Sequence, residues 1–254
     1  MGFVGSGKMP ATPGEQDARA PNAARSGMEL PIFNDNLRSS ANWAAQLAVE
    51  QERWKTSGAS PERLRQHQVE NILRRSANLL EQSNLLKAAN LISGWASDAE
   101  AKLSPERLLQ LHTTIAGVSP DADVLRKTEP LPLNAFHDPT PAILLPKMID
   151  HAFDWFSTES FAELHAVEQS AVVYLRLLDL HPFTSANEPT AIMTASFYTE
   201  RAGLPPLVIL SDDVTQARFA QAFEAAFRML TQPLVEMFAE MLRLAMQAEV
   251  SNAR

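Results

Sequence analysis

Apolar residues recur at helical spacing along almost the whole chain after residue 36, and this pattern restricts the fold more than any other feature. Leu108, Leu111 and Ile115, for example, share one face of a helix. The same three-to-four-residue spacing continues through the C-terminal third of the chain. No segment alternates between polar and apolar residues for long enough to form a sheet. The sequence therefore predicts an all-α protein.

Local signals place several of these helices. Ser60 and Ser104 are each followed by Pro-Glu-Arg-Leu, a combination in which serine caps the helix and proline occupies its first turn. The first signal predicts a helix from 61 to about 84, followed by more helix to residue 99. The second predicts a helix that stops at Gly117, because glycine favours helix C-termini. A later helix is expected over about 189–201.

Composition narrows the function classes. The 254 residues carry a formal net charge of −8, which argues against a nucleic-acid partner, and the chain has no cysteine. The apolar runs are too short to span a membrane. We therefore expect a soluble, cytoplasmic protein without a membrane or nucleic-acid partner. The histidines lack the spacing of metal ligands, so no metal site is expected.

The most informative segment lies between two expected helices. It reads His-Pro-Phe-Thr-Ser-Ala-Asn-Glu-Pro-Thr-Ala-Ile over residues 181–192. It is followed by Ala-Gly-Leu-Pro-Pro at 202–206 and preceded by Leu-Leu-Gln-Leu-His at 108–112. Together, these landmarks resemble the Fic (Fic/Doc, filamentation) family over roughly residues 65–230. The resemblance implies a Fic-type helical bundle with a short β-hairpin flap. It also implies an enzyme that transfers AMP onto a protein hydroxyl.

The resemblance also divides the chain into four parts. We expect a flexible tail over 1–30, because it holds five of the nine glycines and only one aromatic residue. A helical region with an inhibitory-like helix would cover 31–100. The Fic core would cover 101–210, and C-terminal helices would cover 211–254.

The family loop reads His-Pro-Phe, any residue, Asp or Glu, Gly-Asn-Gly-Arg, two residues, Arg. Its histidine acts as the general base, its acidic residue holds magnesium, and its arginines clamp phosphate. This chain keeps four of the loop residues: His181, Pro182, Phe183 and Asn187. The positions that carry the remaining chemistry are changed, namely Ser185, Ala186, Glu188, Pro189 and Ile192.

These replacements all weaken the binding of a nucleotide. Pro189 has no N–H to offer an anion at the start of the helix that contains Thr190. Glu188 adds a negative charge, and two like charges ~4 Å apart at an effective dielectric near 20 repel by about 4 kcal/mol. Ser185 is a poor substitute for a charged metal ligand. Without its arginines the loop also loses its bidentate grip on phosphate.

Two further regions resemble parts of the family. Gln66-His-Gln-Val-Glu70-Asn71 is similar to an inhibitory helix whose glutamate pairs with the second loop arginine. That partner position is Ile192 here, so Glu70 would lack an arginine and would be an ordinary solvated residue. The stretch from Arg126 through Leu131 and Leu133 resembles the target-binding flap, although its prolines remove hydrogen-bond donors.

Three functions remain open from the sequence. The first is a pseudoenzyme that serves as a binding or regulatory protein with a protein partner and needs no cofactor. The second is an active, AMPylating Fic transferase that uses ATP and Mg²⁺, with His181 as general base. The third is acid–base chemistry shared by His181 and Glu188 on a ligand without phosphate. Sequence reasoning leaves the target, the donor and the oligomeric state undefined.

Overall fold

A computed structural model describes residues 43–76, 80–130 and 137–252. These residues form ten α-helices and one 3₁₀ turn. The helices are α1 Trp43–Thr56, α2 Pro61–Arg75, α3 Gln82–Ser97, α4 Pro105–Ala116, α5 Leu145–Phe156, α6 Glu159–Ala162, α7 Ala166–Leu180, α8 Asn187–Arg201, α9 Asp213–Phe227 and α10 Gln232–Asn252, with the 3₁₀ turn at Ala142–Leu144. The predicted all-α class is confirmed.

The helix signals in the sequence act as predicted. The hydroxyl of Ser60 accepts a hydrogen bond from the N–H of Glu62, and that of Ser104 accepts one from Arg107. Gly117 ends α4 in the left-handed region at φ 67°. A Cβ added at this glycine would lie 2.6 Å from the Asn84 side chain, so both the backbone angle and the space favour glycine.

The helix predicted from 61 to about 84 is wrong in extent. It ends at Arg75, and a new helix begins at Gln82. Ser76 takes an extended conformation, with ψ near 122°, which stops the helix. The sequence after Arg75 is Ser-Ala-Asn, and serine and asparagine compete with the backbone for hydrogen bonds and so lower helix propensity. The break leaves Arg75 as the last residue of α2.

The core is built around α8. This helix packs along α7 and also contacts α3 and α4, and most of its residues are buried. Its small residues Ala191 and Ala195 are fully buried, which allows the neighbouring helices to approach closely. The long α10 packs against α1, α7 and α9 and closes the other side of the bundle. The connection from α7 to α8, residues 181–186, is thereby held between two buried helices.

Two predicted features lie outside the described residues. These are the flexible tail at 1–30 and the part of the expected flap that contains Leu131 and Leu133. Before that part, Leu125 forms an isolated antiparallel bridge with Phe183. Across residues 43–76, 80–130 and 137–252, none of the helices combines the length and apolar character that a membrane crossing requires.

Candidate functional site

The connection between α7 and α8 turns sharply at two left-handed residues. His181 ends α7 at φ 43° and ψ 57°, and its N–H donates to the carbonyl of Leu177. Ala186 precedes α8 at φ 56°. Left-handed angles cost residues other than glycine about 1–2 kcal/mol each. The rest of the fold must therefore hold this loop in place, and three side chains do so.

Arg126 holds the first half of the loop. Its side chain is almost fully buried and donates hydrogen bonds to a group of backbone carbonyls, which are those of Thr128, Thr140, Leu180 and His181. The contact from Nε to the His181 carbonyl measures 2.6 Å. The backbone N–H of Arg126 also donates to the carbonyl of Pro182 at 2.9 Å. The segment predicted to start the flap thus fixes the backbone of His181.

Asn187 at the start of α8 holds the loop at Phe183. Its Oδ1 accepts the N–H of Phe183 at 2.9 Å, and its Nδ2 donates to the carbonyl of Phe183 at 2.8 Å. With both ends of its amide used in this way, Asn187 positions the loop.

His112 of α4 packs against the same loop. Its ring stacks on that of Phe183, with centroids 3.6 Å apart and planes 3° apart. Its Nδ1 lies 3.3 Å from the hydroxyl of Thr190, which itself donates to the carbonyl of Ala186. Burial lowers the pKa of His112 to about 4, so the ring is neutral at pH 7.

A cavity of about 390 Å³ opens beside the loop. It is bounded by the end of α2, the middle of α7, the loop with the start of α8, and one face of α9. Its lining residues are Arg75, Ser76, Tyr174, His181, Thr184, Ser185, Ala186, Asn187, Glu188, Pro189, Gln216 and Phe219. Most of the loop positions selected from the sequence therefore lie on one cavity.

An ion pair occupies the side of the cavity at the start of α8. Arg75 Nη2 lies 2.6 Å from Glu188 Oε1, and the Arg75 side chain is only 9 % exposed. Burial raises the pKa of the Glu188 carboxyl, and the Arg75 guanidinium opposes this shift. The charge that nucleotide phosphates would meet here is a carboxylate already paired within the protein.

His181 presents an unengaged imidazole to the cavity. Its Nδ1 is buried and contacts no hydrogen-bond partner among the described residues. Burial lowers the pKa of His181, and the positive charge of Arg126 lowers it further. The imidazole is therefore neutral at pH 7, the form that a general base requires.

Three other predicted site residues lie away from the cavity, and a fourth lies on its edge. Ile192 is fully buried in the core. Glu70 is exposed on α2 and does not line the cavity. Asn71 is buried, and its Oδ1 accepts the N–H of Ser211, so it joins α2 to the segment before α9. Ser185 is exposed at the cavity rim.

Sequence reasoning missed five lining residues outside the loop, which are Arg75, Ser76, Tyr174, Gln216 and Phe219. The helical spacing of Phe219 predicts a core position, and the structure leaves this residue half-buried. The helix predicted to continue to about 84 placed Arg75 in a helix interior. Two signals could have pointed to Arg75: the end of the helix after it, and the negative charge of Glu188, which requires a cationic partner.

A magnesium ion bound as in the family does not fit these residues. Glu188 is the only carboxylate among the cavity-lining residues described, and Arg75 already pairs with it. Magnesium prefers at least one free carboxylate together with substrate phosphates. The described residues also contain no group of three side chains able to hold a metal ion.

The Fic/DOC family model matches residues 102–199, from the segment before α4 to the last turn of α8. This match covers the loop, Arg126 and the stacked His112. Residues 102–199 therefore form a Fic/DOC domain. The matched segment supplies the middle of α7, the loop and the start of α8 to the cavity, whereas the lining residues of α2 and α9, Arg75 among them, lie outside it.

Named relatives and solved structures agree with this assignment. The chain is 26 % identical over 110 residues to protein adenylyltransferase fic-1 of Caenorhabditis briggsae, which is 42 % of this chain and 21 % of that relative. It is 23 % identical over 139 residues to protein adenylyltransferase Fic of Nematostella vectensis, or 54 % of this chain and 33 % of the relative. The matches thus span a third or less of these curated relatives.

Solved structures support the fold. A Fic domain-containing signaling protein from Bacteroides thetaiotaomicron superposes with a TM-score of 0.70 at 17 % identity, over 82 % of this chain and 97 % of that one. Fic-1 from C. elegans superposes with a TM-score of 0.64 at 16 % identity, over 90 % of this chain and 78 % of that one. The Fic fold therefore extends well beyond residues 102–199.

Proposed function

We propose that this Fic-fold protein does not transfer adenylyl groups and instead acts as a binding or regulatory protein. The observation that carries the proposal is the ion pair between Arg75 and Glu188 at the start of α8. It places a carboxylate where the family's loop would receive phosphate. The partner we infer is another protein, since the related IbpAFic2 has been solved in complex with adenylylated Cdc42.

The remaining loop changes support the same proposal. Pro189 offers no N–H to an anion, and Ser185 offers no charge to a metal. The side-chain amide of Asn187 is already hydrogen-bonded to the backbone of Phe183. Each of these changes removes a contact that the family's loop would offer to nucleotide phosphates or magnesium.

Calorimetry with ATP and Mg²⁺ tests this proposal. We expect no binding by the wild-type chain at micromolar concentrations. A repaired variant that combines Ser185→Asp, Ala186→Gly, Glu188→Gly and Pro189→Arg should bind measurably. Ile192 is left unchanged, because an arginine there would bury an unpaired charge in the core. Micromolar binding by the wild type would contradict the loss of nucleotide binding, and a silent repaired variant would contradict our alignment of the loop.

One observation favours a second candidate, an active transferase that moves AMP or another phosphate-bearing group onto a protein hydroxyl. His181 keeps a neutral, unengaged imidazole on the cavity. Here His181 would take the proton from the target hydroxyl as that oxygen bonds to the donor's phosphorus. The bond from phosphorus to the donor's leaving group, pyrophosphate where the donor is ATP, would break in the same step. Incubation with labelled donors tests it, with His181→Ala as the matched control. Labelling by the wild type that disappears in His181→Ala would support the transferase, and equal labelling would remove His181 from the reaction.

The third function, acid–base chemistry shared by His181 and Glu188, stays a prediction. Both residues line the same cavity. The Glu188 carboxylate, however, is already engaged by Arg75 at 2.6 Å.

A further inference from the structure

Several polar atoms around the cavity lack partners. Arg75 Nε, Ser76 Oγ and His181 Nδ1 are all buried, and within the described part of the chain none of them makes a hydrogen bond. All three residues line the cavity beside α8. Buried polar groups are normally satisfied by protein or by a bound molecule. Three such atoms around one cavity therefore indicate a ligand that supplies hydrogen-bonding atoms.

Backbone amides add to this set. Ala186 is the N-cap of α8 and provides no side-chain cap, and the first N–H that the helix satisfies is that of Thr190, which donates to Ala186. Pro189 has no N–H. The amides of Asn187 and Glu188 are therefore the two that the helix leaves without an acceptor of its own. They add a partial positive charge to the same side of the cavity.

Arg75 supplies the cation that this end of the cavity requires. Its guanidinium is more than nine-tenths buried, and only one of its three nitrogens is engaged by Glu188. The guanidinium fork can bind two acceptor oxygens at once. Glu188 neutralises Arg75 overall, so a ligand with several negative charges would be repelled. A ligand with a single oxyanionic group meets donors without a large excess of negative charge.

Two aromatic residues also line the cavity. Tyr174 and Phe219 both line the cavity, with their rings in edge contact at 5.8 Å. The cavity of about 390 Å³ is larger than a lone anion needs. A flat apolar group attached to the anion would pack against Phe219.

We propose that Arg75, Ser76 and the first two amides of α8 bind one oxyanionic group, a carboxylate or a single phosphoryl group, on a small ligand with a planar apolar part. The proposal rests on the proposed function only in that the cavity no longer takes a nucleotide with magnesium. Glu188 then acts as an internal competitor for Arg75. The two residues that contribute most, Arg75 and Ser76, lie outside the family's loop.

Calorimetric titration of the full chain with phenyl phosphate, benzoate and inorganic phosphate tests the site. Binding of phenyl phosphate alone or benzoate alone would identify the phosphoryl or the carboxylate source. We expect the better of the two to bind at least tenfold more weakly to Arg75→Gln than to wild type. Arg74→Gln is the matched control, because Arg74 is the preceding residue on α2, exposed and away from the cavity. It should change the affinity by less than twofold.

Glu188→Gln provides an independent test, because it frees Arg75 without removing it. The affinity for the same probe should rise at least fivefold, and thermal melting establishes that each variant is folded. Equal affinities in Arg75→Gln and Arg74→Gln would overturn the proposal. Absence of binding by both wild type and Glu188→Gln would also overturn it, and this second test holds even if Arg75→Gln does not fold. Neither result bears on ATP with Mg²⁺, so the two proposals fail separately.

Discussion

The two halves of the connection between α7 and α8 differ in what holds them. The first half, His181 to Phe183, is held by hydrogen bonds from Arg126 and Asn187 and by the stacked ring of His112. The second half, Ala186 to Pro189, faces the cavity with an internal ion pair and a proline. The positions that match the family's loop are thus concentrated where the backbone is fixed, and the changed positions face the cavity.

The largest effect should come from the scaffold half. Arg126→Met would leave the carbonyls of Leu180, His181 and Thr140 without their donor. Loss of a buried charged group from such a network costs about 3–5 kcal/mol of unfolding free energy. Urea denaturation measures this loss. Lys127→Met is the control, because Lys127 is largely exposed and should change stability by less than about 0.5 kcal/mol. A loss below about 1 kcal/mol for Arg126→Met would show that Arg126 does not hold the loop.

The next effect is a pH dependence of the unfolding free energy, and it comes from His112, which contacts both Phe183 and Thr190. Its folded pKa of about 4 lies below the ordinary value of 6.5, so between these values the unfolded chain binds a proton that the folded chain does not. Stability contributed by the neutral ring is therefore present above pH 6.5 and is lost as pH falls towards 4. The loss should approach ~3 kcal/mol, since one pKa unit corresponds to about 1.4 kcal/mol.

Urea midpoints at pH 7 and pH 4.5 measure this loss. In His112→Phe the fall in stability on acidification should be smaller than in wild type by most of that amount. His151→Gln is the control, because His151 is exposed on α5 and should leave the pH dependence unchanged. The same acid sensitivity in His112→Phe and wild type would mean that other groups cause it.

The smallest expected effect is the difference between substitutions at Asn187 and at Ser185, two positions earlier. Asn187→Ala removes two buried hydrogen bonds to Phe183 and should cost about 2 kcal/mol of unfolding free energy. Ser185→Ala changes an exposed side chain and should cost less than about 0.5 kcal/mol. Thermal melting of both variants distinguishes them. Equal losses would mean that the hydrogen bonds of Asn187 do not hold the loop in place.

Much of this organisation could be predicted from the sequence, because it rests on local signals. Helical spacing predicted the all-α class, and the Ser-Pro-Glu signals placed the starts of α2 and α4. The loop residues selected from 181–190 largely line one cavity. Local patterns carry this information because caps and helical faces depend on residues only a few positions apart.

The contacts that decide the site are distant in sequence and could not be predicted in this way. Arg75 meets Glu188 across 113 positions, and Arg126 reaches the His181 carbonyl across 55. The prediction of a helix to about 84 also missed the end of α2, which brings Arg75 to the cavity. Glu70 on the same helix faces solvent, as expected for a residue without an arginine partner, and the residue that reaches α8 carries the opposite charge.

The pairing of α2 with α8 has a practical consequence for anyone who shortens this chain. A fragment cut to residues 102–199 would keep every residue of the loop and lose Arg75. Glu188 would then stand without its counter-ion beside Tyr174, and the loop would be studied with a charge balance that the whole chain never has. Ligand screens on such a fragment would favour cations, whereas we propose that the complete chain binds an oxyanion.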